Sequence, residues 1–464
     1  MLVRRNCKYA FTKVLVVTFA ICVASCVMGA SKTTTIPEEV KVSIHRRVEA
    51  AETVGLVVGV VDETDRTEYF CHGTVGLDDD GPVNEHSIYE IGSISKVFTC
   101  TVLADMVLKN TVSLSDPAED HLPPDVKIPS RNGRKITLEH MATHTSALPG
   151  MPSNFNPTDP LNPYASYTVQ SMYDFLSQCT LERDIGAKYE YSNLAMGLLG
   201  HILSLKAGMS YEKLIVRRIT QPLGMESTVI TLTPELMAKL AKPHNAKGEV
   251  SLWDIPVLAG AGAIRSSAEN MLTFLSANMG LIKSSLLPAM EMAHESRADT
   301  GSKEMTVGLG WHIRDNGKTR IVWHNGGTGG FRTFAGFVKE KKMGVVVLSN
   351  MNISADDIGF HLLDNSYDLK KINFVSKVLP QILDKYEGDY RMAENGNVFS
   401  IKRRGSQLVV LSAGEKPYFL FPRSETEFKI KFSPMRVSFH VDENGSVTGM
   451  VMNMPGDKKV AKKI

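Results

Sequence analysis

The chain has 464 residues, of which 43% are hydrophobic and 22% are charged, as is ordinary for a globular protein with a sizeable core. Its formal net charge is +2 and no block of like charges stands out, which argues against a nucleic-acid partner. The length allows two or three domains, or one large domain with an appendage.

The first 30 residues are typical of an export signal. Four basic side chains precede the apolar run "VLVVTFAICVASCVMGA" at 14–30, which ends in small residues. The segment "VASC" also fits a bacterial lipobox, in which Cys26 would be lipidated. Simple cleavage after Ala30 and an uncleaved anchor stay open as alternatives. The protein is therefore expected to be exported, and to be periplasmic or attached to a membrane through this segment.

The next hundred residues contain clear periodic patterns. Residues 36–53 have apolar positions at helical spacing, which predicts an amphipathic helix. The runs 54–63 and 66–78 predict two strands of a hairpin. Residues 95–109 have a mainly apolar pattern that is unbroken by Gly or Pro, which predicts a buried helix.

Strands return later in the chain. Residues 135–230 have mostly helical patterns separated by loops. Strands at both ends with helices between them predict an α/β fold, in which helices flank one antiparallel sheet. The four later strands are predicted at 307–313, 319–325, 332–340 and 343–351.

The texture changes near residue 370, where short strands alternate with Gly and Asn turns. This pattern predicts a small all-β domain at the C-terminus. The predicted division is a signal at 1–30, a main domain at 31–370, a linker at 371–384 and the β-rich domain at 385–464.

Three of the six cysteines lie beyond the signal: Cys71, Cys100 and Cys179. Their number is odd and no metal-ligand spacing links them. We expect three buried small hydrophobic side chains, with one disulfide left open. No metal or organic cofactor is expected.

The stretch "YEIGSISKVFT" places Ser93 one helical turn before Lys96. A serine hydroxyl is a weak nucleophile and needs a base. A lysine at the apolar start of a helix is partly desolvated and is repelled by the helix dipole, and both effects favour the neutral amine. The free N–H groups at the helix start can also face an oxyanion. Ser95, next to Lys96, is expected to point elsewhere.

A second motif is Tyr191-Ser192-Asn193, directly before an apolar helix. A phenol beside a cationic lysine can be stabilised as phenolate, so Tyr191 could act as a base and later as an acid. Asn193 offers its amide to a substrate carbonyl and to the lysine. The alternative is a capped helix start with Asn193 as the N-cap.

The third motif, "WHNGGTGGFRTF", runs from a strand into a glycine-rich turn. Gly326 and Gly327 would allow a ligand to approach the strand edge, and the Gly327 N–H is a candidate second oxyanion donor. His324 would add a titratable donor near a substrate carboxylate or ester.

Together these motifs resemble the class C β-lactamase family, with its D-alanyl-D-alanine peptidase and esterase relatives. The resemblance covers roughly residues 40–355. It rests on six segments in order: "YEIGSISKVFT", "LSDP", "ITLEHMATHTSALP", "YSNLAMGLLGHIL", "QPLGMESTV" and "HNGGTGGF".

The resemblance implies a β-lactamase-like fold with an all-helical subdomain, and a role for each motif residue. Ser93 is similar to the acylated serine, Lys96 to its lysine partner and Tyr191 to the acid/base tyrosine. Asn193 would bind substrate, and the N–H groups of Ser93 and Gly327 would form the oxyanion hole. The C-terminal domain resembles the lipocalin-like appendage of some relatives.

One position departs from the family. His324 stands where class C β-lactamases have a lysine, and a histidine is only partly charged near neutral pH. With an ordinary pKa of about 6.5, its charge would hold substrate carboxylates in acid and release them above pH 7. Arg332 is the alternative partner for a carboxylate. His144 is expected to be a structural hydrogen-bonder, and Trp253 and Trp311 to be core or cleft wall.

The sequence thus predicts an exported serine hydrolase that forms an acyl-enzyme on a β-lactam, a peptidoglycan-derived peptide or an ester. D-alanyl-D-alanine peptidase or esterase activity is the alternative within the family. A non-catalytic protein that binds cell-wall peptide or serves as a scaffold is the alternative from another class. A binder has no need of Ser93, Lys96 and Tyr191 together.

Overall fold

An eight-stranded antiparallel sheet forms the centre of the larger part of the chain. The computed structural model describes residues 36–464 apart from 78, 80, 247, 373–377, 405–406, 413–416, 431–434 and 455. The predicted export signal and Cys26 lie outside the described residues.

The strands, in chain order, are β1 (Gly55–Val61), β2 (Thr67–Gly73), β3 (Tyr89–Glu90), β4 (His244–Asn245), β5 (Gly248–Glu249), β6 (Arg265–Ser266), β7 (Ala298–Ser302), β8 (Met305–Val307), β9 (His312–Asp315), β10 (Arg320–Gly327), β11 (Arg332–Val338), β12 (Met343–Ser349), β13 (Gly388–Met392), β14 (Val398–Arg404), β15 (Gln407–Leu411), β16 (Tyr418–Pro422), β17 (Glu427–Ile430), β18 (Arg436–Val441), β19 (Val447–Met454) and β20 (Asp457–Lys463).

The α-helices are α1 (Glu38–Glu49), α2 (Ser95–Leu108), α3 (Leu138–Ala142), α4 (Val169–Gln178), α5 (Asn193–Ala207), α6 (Tyr211–Ile215), α7 (Pro234–Met237), α8 (Ala259–Gly262), α9 (Ala268–Met279), α10 (Leu287–Ala293), α11 (Asp356–Leu363) and α12 (Pro380–Asp384). Among the described residues, no helix has the length and apolarity needed to cross a membrane.

The main sheet has the strand order β2-β1-β12-β11-β10-β9-β8-β7 and is covered on both faces. In β1, Val57 and Val61 belong to the larger core, which contains α2 and α9. Leu56 and Val58 alternate with them and join a second core with α1 and α11. This alternation follows from the period of two in a strand. The predicted antiparallel sheet flanked by helices is therefore confirmed.

One predicted strand is broken. The run 307–313 was expected to be continuous, but β8 ends at Val307 and β9 begins at His312. Gly310 between them has φ +72°, which favours glycine, and a Cβ there would lie 3.0 Å from the Lys96 carbonyl oxygen. The turn thus packs against the first turn of α2.

The C-terminal part is a closed antiparallel barrel of eight strands, β13 to β20. All of these strands lie within the range 385–464 predicted to be β-rich. Aromatic side chains fill the barrel core, and they are Tyr386, Tyr390, Phe399, Phe428 and Phe439.

The barrel contacts the body of the protein through charged and apolar groups. The carboxylate of Glu52 lies 2.9 Å from Lys370 Nζ and 3.7 Å from Lys429 Nζ, and the Glu52 side chain is 9% exposed. Burial alone would raise the pKa of Glu52, but the two lysines more than offset it and lower that pKa. Phe421 of β16 packs near Met351, which follows β12.

The three described cysteines, Cys71, Cys100 and Cys179, are free thiols in this structure. Cys100 is buried in α2, whereas the other two are partly buried. The structure therefore shows none of the disulfides that the sequence left open among these three.

We predict that the division near residue 370 is a true domain boundary. A fragment spanning 31–370 should fold and should still react at Ser93 with a fluorophosphonate probe, because none of the barrel residues that the structure describes lines the cleft at Ser93. Its melting temperature should fall, since Met351 loses its cover. Circular dichroism and intact mass spectrometry check both points. A folded fragment that fails to react would show that the barrel is part of the active site.

Candidate active site

Ser93 lies in a 3-10 turn, Gly92–Ile94, that runs directly into α2. Gly92 has φ +53°, and a Cβ on it would lie 2.7 Å from the Gly327 backbone nitrogen. Only glycine therefore allows the end of β10 to come this close to the serine turn. The turn brings Ser93 and Gly327 to the same cleft.

Lys96 is fully buried in the first turn of α2. Its Nζ lies 2.9 Å from Ser93 Oγ and donates a hydrogen bond to the Ala261 carbonyl oxygen at 2.7 Å. Burial lowers the pKa of Lys96 well below its ordinary value. In the neutral amine, one hydrogen is used by Ala261 and the lone pair remains free for the Ser93 hydroxyl proton.

Tyr191 hydrogen-bonds to Ser93, and the centre of its ring lies 4.8 Å from Lys96 Nζ. Burial raises the pKa of the Tyr191 phenol, so its hydroxyl keeps its proton. The phenolate considered from the sequence is therefore disfavoured, because a neutral buried lysine supplies no positive charge to stabilise it.

The segment that carries Tyr191 is fixed by its neighbours. Ser192, not Asn193, is the N-cap of α5, and its Oγ accepts a hydrogen bond from the Ala195 N–H at 2.9 Å. The Ser192 N–H donates to His144 Nδ1 at 3.1 Å, and the His144 ring centre lies 4.5 Å from that of Tyr191. His144 thus has the structural role expected of it. Asn193 is free to line the cleft.

His324 is buried, with 1% of its surface exposed, and its Nδ1–H donates to the Asn325 carbonyl oxygen at 2.6 Å. Burial, aided by the neighbouring His312, lowers the pKa of His324 well below 6.5. The expectation that its charge changes near neutral pH is therefore wrong. The side chain stays neutral where class C β-lactamases, by the resemblance, carry a lysine.

Two residues of this region carried no signal in the sequence. The His312 ring centre lies 4.9 Å from that of His324, and His312 Nε2 is 3.0 Å from the Tyr189 hydroxyl. Burial lowers the pKa of His312 to about 4. His312 and Tyr189 come from β9 and from the loop before α5, so only the tertiary fold brings them together.

Gly326 and Arg332 do not line the cleft. A Cβ on Gly326 would lie 1.9 Å from the Ile91 carbonyl oxygen, so this glycine allows β10 to pack against the backbone before Ser93. Arg332 pairs with Gly327 in the sheet and interacts with the Asp356 carboxylate. Arg332 is thus placed beside Asp356, with its guanidinium against Gly327.

The neighbouring Ser95 has a different environment from Ser93. It is fully buried, and its Oγ accepts a hydrogen bond from the Ile264 N–H at 3.0 Å. This side chain therefore points away from the cleft, as predicted. It joins α2 to the backbone before β6.

The cleft at Ser93 is narrow, and its walls come from five separate parts of the chain. Of the site residues predicted from the sequence, Ser93, Asn193 and Gly327 line it directly, whereas Lys96 and Tyr191 pack against Ser93. Among the described residues, the lining consists of Gly92, Ser93, Tyr164, Asn193, Trp253, Ile255, Leu258, Ala261, Gly262, Gly327 and Thr328.

Comparisons with known proteins agree with this geometry. A family model described as Beta-lactamase matches residues 43–362. The chain is 29% identical over 275 residues to the D-alanyl-D-alanine-carboxypeptidase/endopeptidase AmpH of Escherichia coli K12, which covers 56% of this chain and 70% of AmpH.

Solved structures show the same fold. A class C β-lactamase from Rhodobacter sphaeroides superposes with a TM-score of 0.62 at 25% identity and covers 71% of this chain and 99% of its own. An octameric penicillin-binding protein homologue from Pyrococcus abyssi has a TM-score of 0.62 at 22% identity and covers 91% of this chain and 99% of its own. The second likeness concerns the fold alone.

We predict that stability falls in acid because of the buried histidines. An unfolded histidine binds a proton below about pH 6.5, whereas folded His312 binds one only near its lowered pKa of about 4. The folding free energy that His312 contributes is thus present above pH 6.5 and is lost as the pH falls towards 4. In a plot of the free energy of unfolding against pH, His312→Gln should reduce the slope between pH 6 and 5 by about 1.4 kcal/mol per pH unit. Urea unfolding at both pH values measures it, and an unchanged slope contradicts the assignment.

Proposed function

Because this chain belongs to the Beta-lactamase family and is a serine hydrolase, we propose that Ser93 is its nucleophile and forms an acyl-enzyme. The observation that carries this proposal is the 2.9 Å approach of a fully buried Lys96 Nζ to Ser93 Oγ. A buried lysine with no acidic partner at hydrogen-bond distance among the described residues serves better as a base than as a cation.

In the first step, Ser93 Oγ attacks the substrate carbonyl carbon, and the proton of the Ser93 hydroxyl passes to Lys96 Nζ. The Ala261 carbonyl keeps its hydrogen bond from the Lys96 amine, and this bond orients the amine lone pair towards Ser93. The resulting ammonium is short-lived, because a buried charge is costly without a partner. This cost favours passing the proton onward.

The negative charge that develops on the carbonyl oxygen needs donors. The N–H groups of Ser93 and Gly327 are the proposed oxyanion hole, since both residues line the cleft and Gly92 meets the Gly327 backbone. The Asn193 amide is proposed to bind the substrate beside them. Preorganised donors of this kind are worth about 2.7–4 kcal/mol each.

Collapse of the tetrahedral intermediate breaks the bond to the leaving oxygen or nitrogen, which takes a proton. Tyr191 keeps its hydroxyl proton and hydrogen-bonds to Ser93, so it is placed to donate that proton to the leaving group. The protonated Lys96 can then pass its extra proton to Tyr191. A water molecule then attacks the acyl-enzyme, the reverse transfers regenerate Ser93, and the acid product leaves.

The substrate carbonyl is proposed to be that of a β-lactam or of a peptide, as in the relatives named above, with esters as the alternative. The substrate is then a small molecule or a peptidoglycan-derived peptide. Export follows from the signal predicted at 1–30, with membrane attachment if Cys26 is lipidated. A non-catalytic binding role is disfavoured, since binding alone does not need a base against Ser93.

We expect Ser93→Ala to abolish covalent labelling and turnover while leaving the fold intact, because the covalent step needs the hydroxyl. Incubation with a fluorophosphonate and with a labelled penicillin, followed by intact mass spectrometry, measures the adduct. Ser95→Ala is the matched control. It should cost about 1 kcal/mol of stability through the lost hydrogen bond and should still be labelled. Labelling that persists in Ser93→Ala would reject the proposal.

Lys96→Met and Tyr191→Phe should each lower kcat/KM for a neutral ester by at least about a hundredfold, with non-additive effects. Both side chains serve one proton path, so the double variant should be little worse than the poorer single one. Lys96→Arg should also be inactive, because a guanidinium cannot give up its proton. Mild, additive losses in the double variant would show that the two residues act independently.

A further inference from the structure

The cleft at Ser93 has an unusual electrostatic character for an enzyme that was expected to hold carboxylates. Among the described residues, none of the side chains that line it is charged at neutral pH. Its wall is aromatic at Trp253 and Tyr164, and aliphatic at Ile255 and Leu258. Beside Ser93, the lining has the uncharged polar side chains of Asn193 and Thr328.

The charged groups nearby are not available to a substrate anion. His324 is buried and neutral, and Arg332 packs against Gly327 beside Asp356 without lining the cleft. Lys96 is buried behind Ser93 with a lowered pKa, and its Nζ is engaged with Ser93 and Ala261. A substrate carboxylate in this cleft would therefore lose its hydration without gaining a cation.

Trp253 is held firmly at the cleft wall by a buried ion pair. The backbone N–H of Trp253 donates to Glu90 Oε1 at 2.8 Å, and its backbone carbonyl accepts from Arg265 Nη2 at 2.9 Å. Glu90 and Arg265 are 3.3 Å apart, with 4% and 8% of their side chains exposed. The backbone N–H and carbonyl of Trp253 are thus held by two side chains that form a buried ion pair, and separating that pair would be costly.

The ring of Trp253 is fixed as well. Its centre lies 5.3 Å from that of Tyr164, and a Cβ on Gly329 would come within 2.8 Å of its Nε1. The Asn162 and Asp254 side chains join the two loops, with Asn162 Nδ2 donating to Asp254 Oδ2 at 2.9 Å. The indole therefore lies between the Tyr164 loop and the turn after Gly327.

Resting on the proposed function, we propose that Trp253 and Tyr164 form an acyl-selecting wall which, among the esters named there as the alternative substrates, favours those with an uncharged, apolar acyl group. Trp253 is the specificity-determining residue of this wall. Carboxylate-bearing acyl donors are disfavoured because the wall offers them apolar contact where they need a cation. An added or missing apolar contact in such a pocket changes kcat/KM by about 10- to 200-fold.

Two esters of matched size test this directly: p-nitrophenyl butyrate and p-nitrophenyl hemisuccinate. The full chain should prefer the butyrate at least about tenfold in kcat/KM. Trp253→Ala should reduce that preference by lowering butyrate turnover, and Trp253→Arg should shift it towards the hemisuccinate by at least about tenfold. Trp323→Phe is the control, because Trp323 stacks on Phe334 away from the cleft, and it should leave the ratio unchanged.

The outcomes separate this inference from the proposed function. Equal or greater kcat/KM for the hemisuccinate in wild type overturns the inference, as does a ratio that Trp253→Arg leaves unchanged. If that happens while Ser93→Ala is inactive, the nucleophile assignment survives. Retained turnover of both esters in Ser93→Ala overturns the proposed function instead. Failure of both esters to acylate wild type, by intact mass, also counts against the inference.

Discussion

The burial of Lys96 is the constraint on which the site depends. An ammonium held in this environment without a carboxylate would cost several kcal/mol, and the structure avoids that cost by favouring the neutral amine. One carbonyl, that of Ala261, is enough to orient it. Close packing surrounds it: Gly310 meets the Lys96 backbone, and Gly260 meets Gly200 next to Ala261. Larger residues at these glycines would push the amine away from Ser93.

The second requirement is a close approach between the sheet and the serine turn. Gly326 lies against the Ile91 carbonyl, and Thr333 Oγ1 donates to the same oxygen at 2.9 Å. Gly92 in turn meets the Gly327 backbone. Since both glycines meet backbone atoms rather than flexible side chains, the distance between the Ser93 and Gly327 amides is set by the fold. Such rigidity suits an oxyanion site, whose donors must be in place before charge develops.

Much of this could be predicted from local sequence. The Ser93–Lys96 spacing, the apolar run of α2 and the strands that flank the glycine-rich turn depend on neighbours along the chain, which periodicity and glycine placement reveal. The break between β8 and β9 was missed, because Gly310 turns the chain to pack on α2, a contact distant in sequence.

The electrostatics could not be read in the same way. The charge of His324 is decided by burial against His312, and the position of Arg332 by its register opposite Gly327. Both depend on tertiary neighbours. The same holds for Trp253, because Glu90 and Arg265, the ion pair that fixes it, are far apart in the sequence.

The protonation state of Lys96 is the most direct test of the central claim. Its Cε resonance can be followed by NMR in protein labelled with 13C-lysine, with Lys96→Met used to assign the signal. The burial of Lys96 predicts a midpoint far below the ordinary lysine value of about 10.4, so that the amine is neutral when the enzyme works. A Lys96 signal that stays that of an ammonium up to about pH 10 would contradict the claim that this lysine is the base.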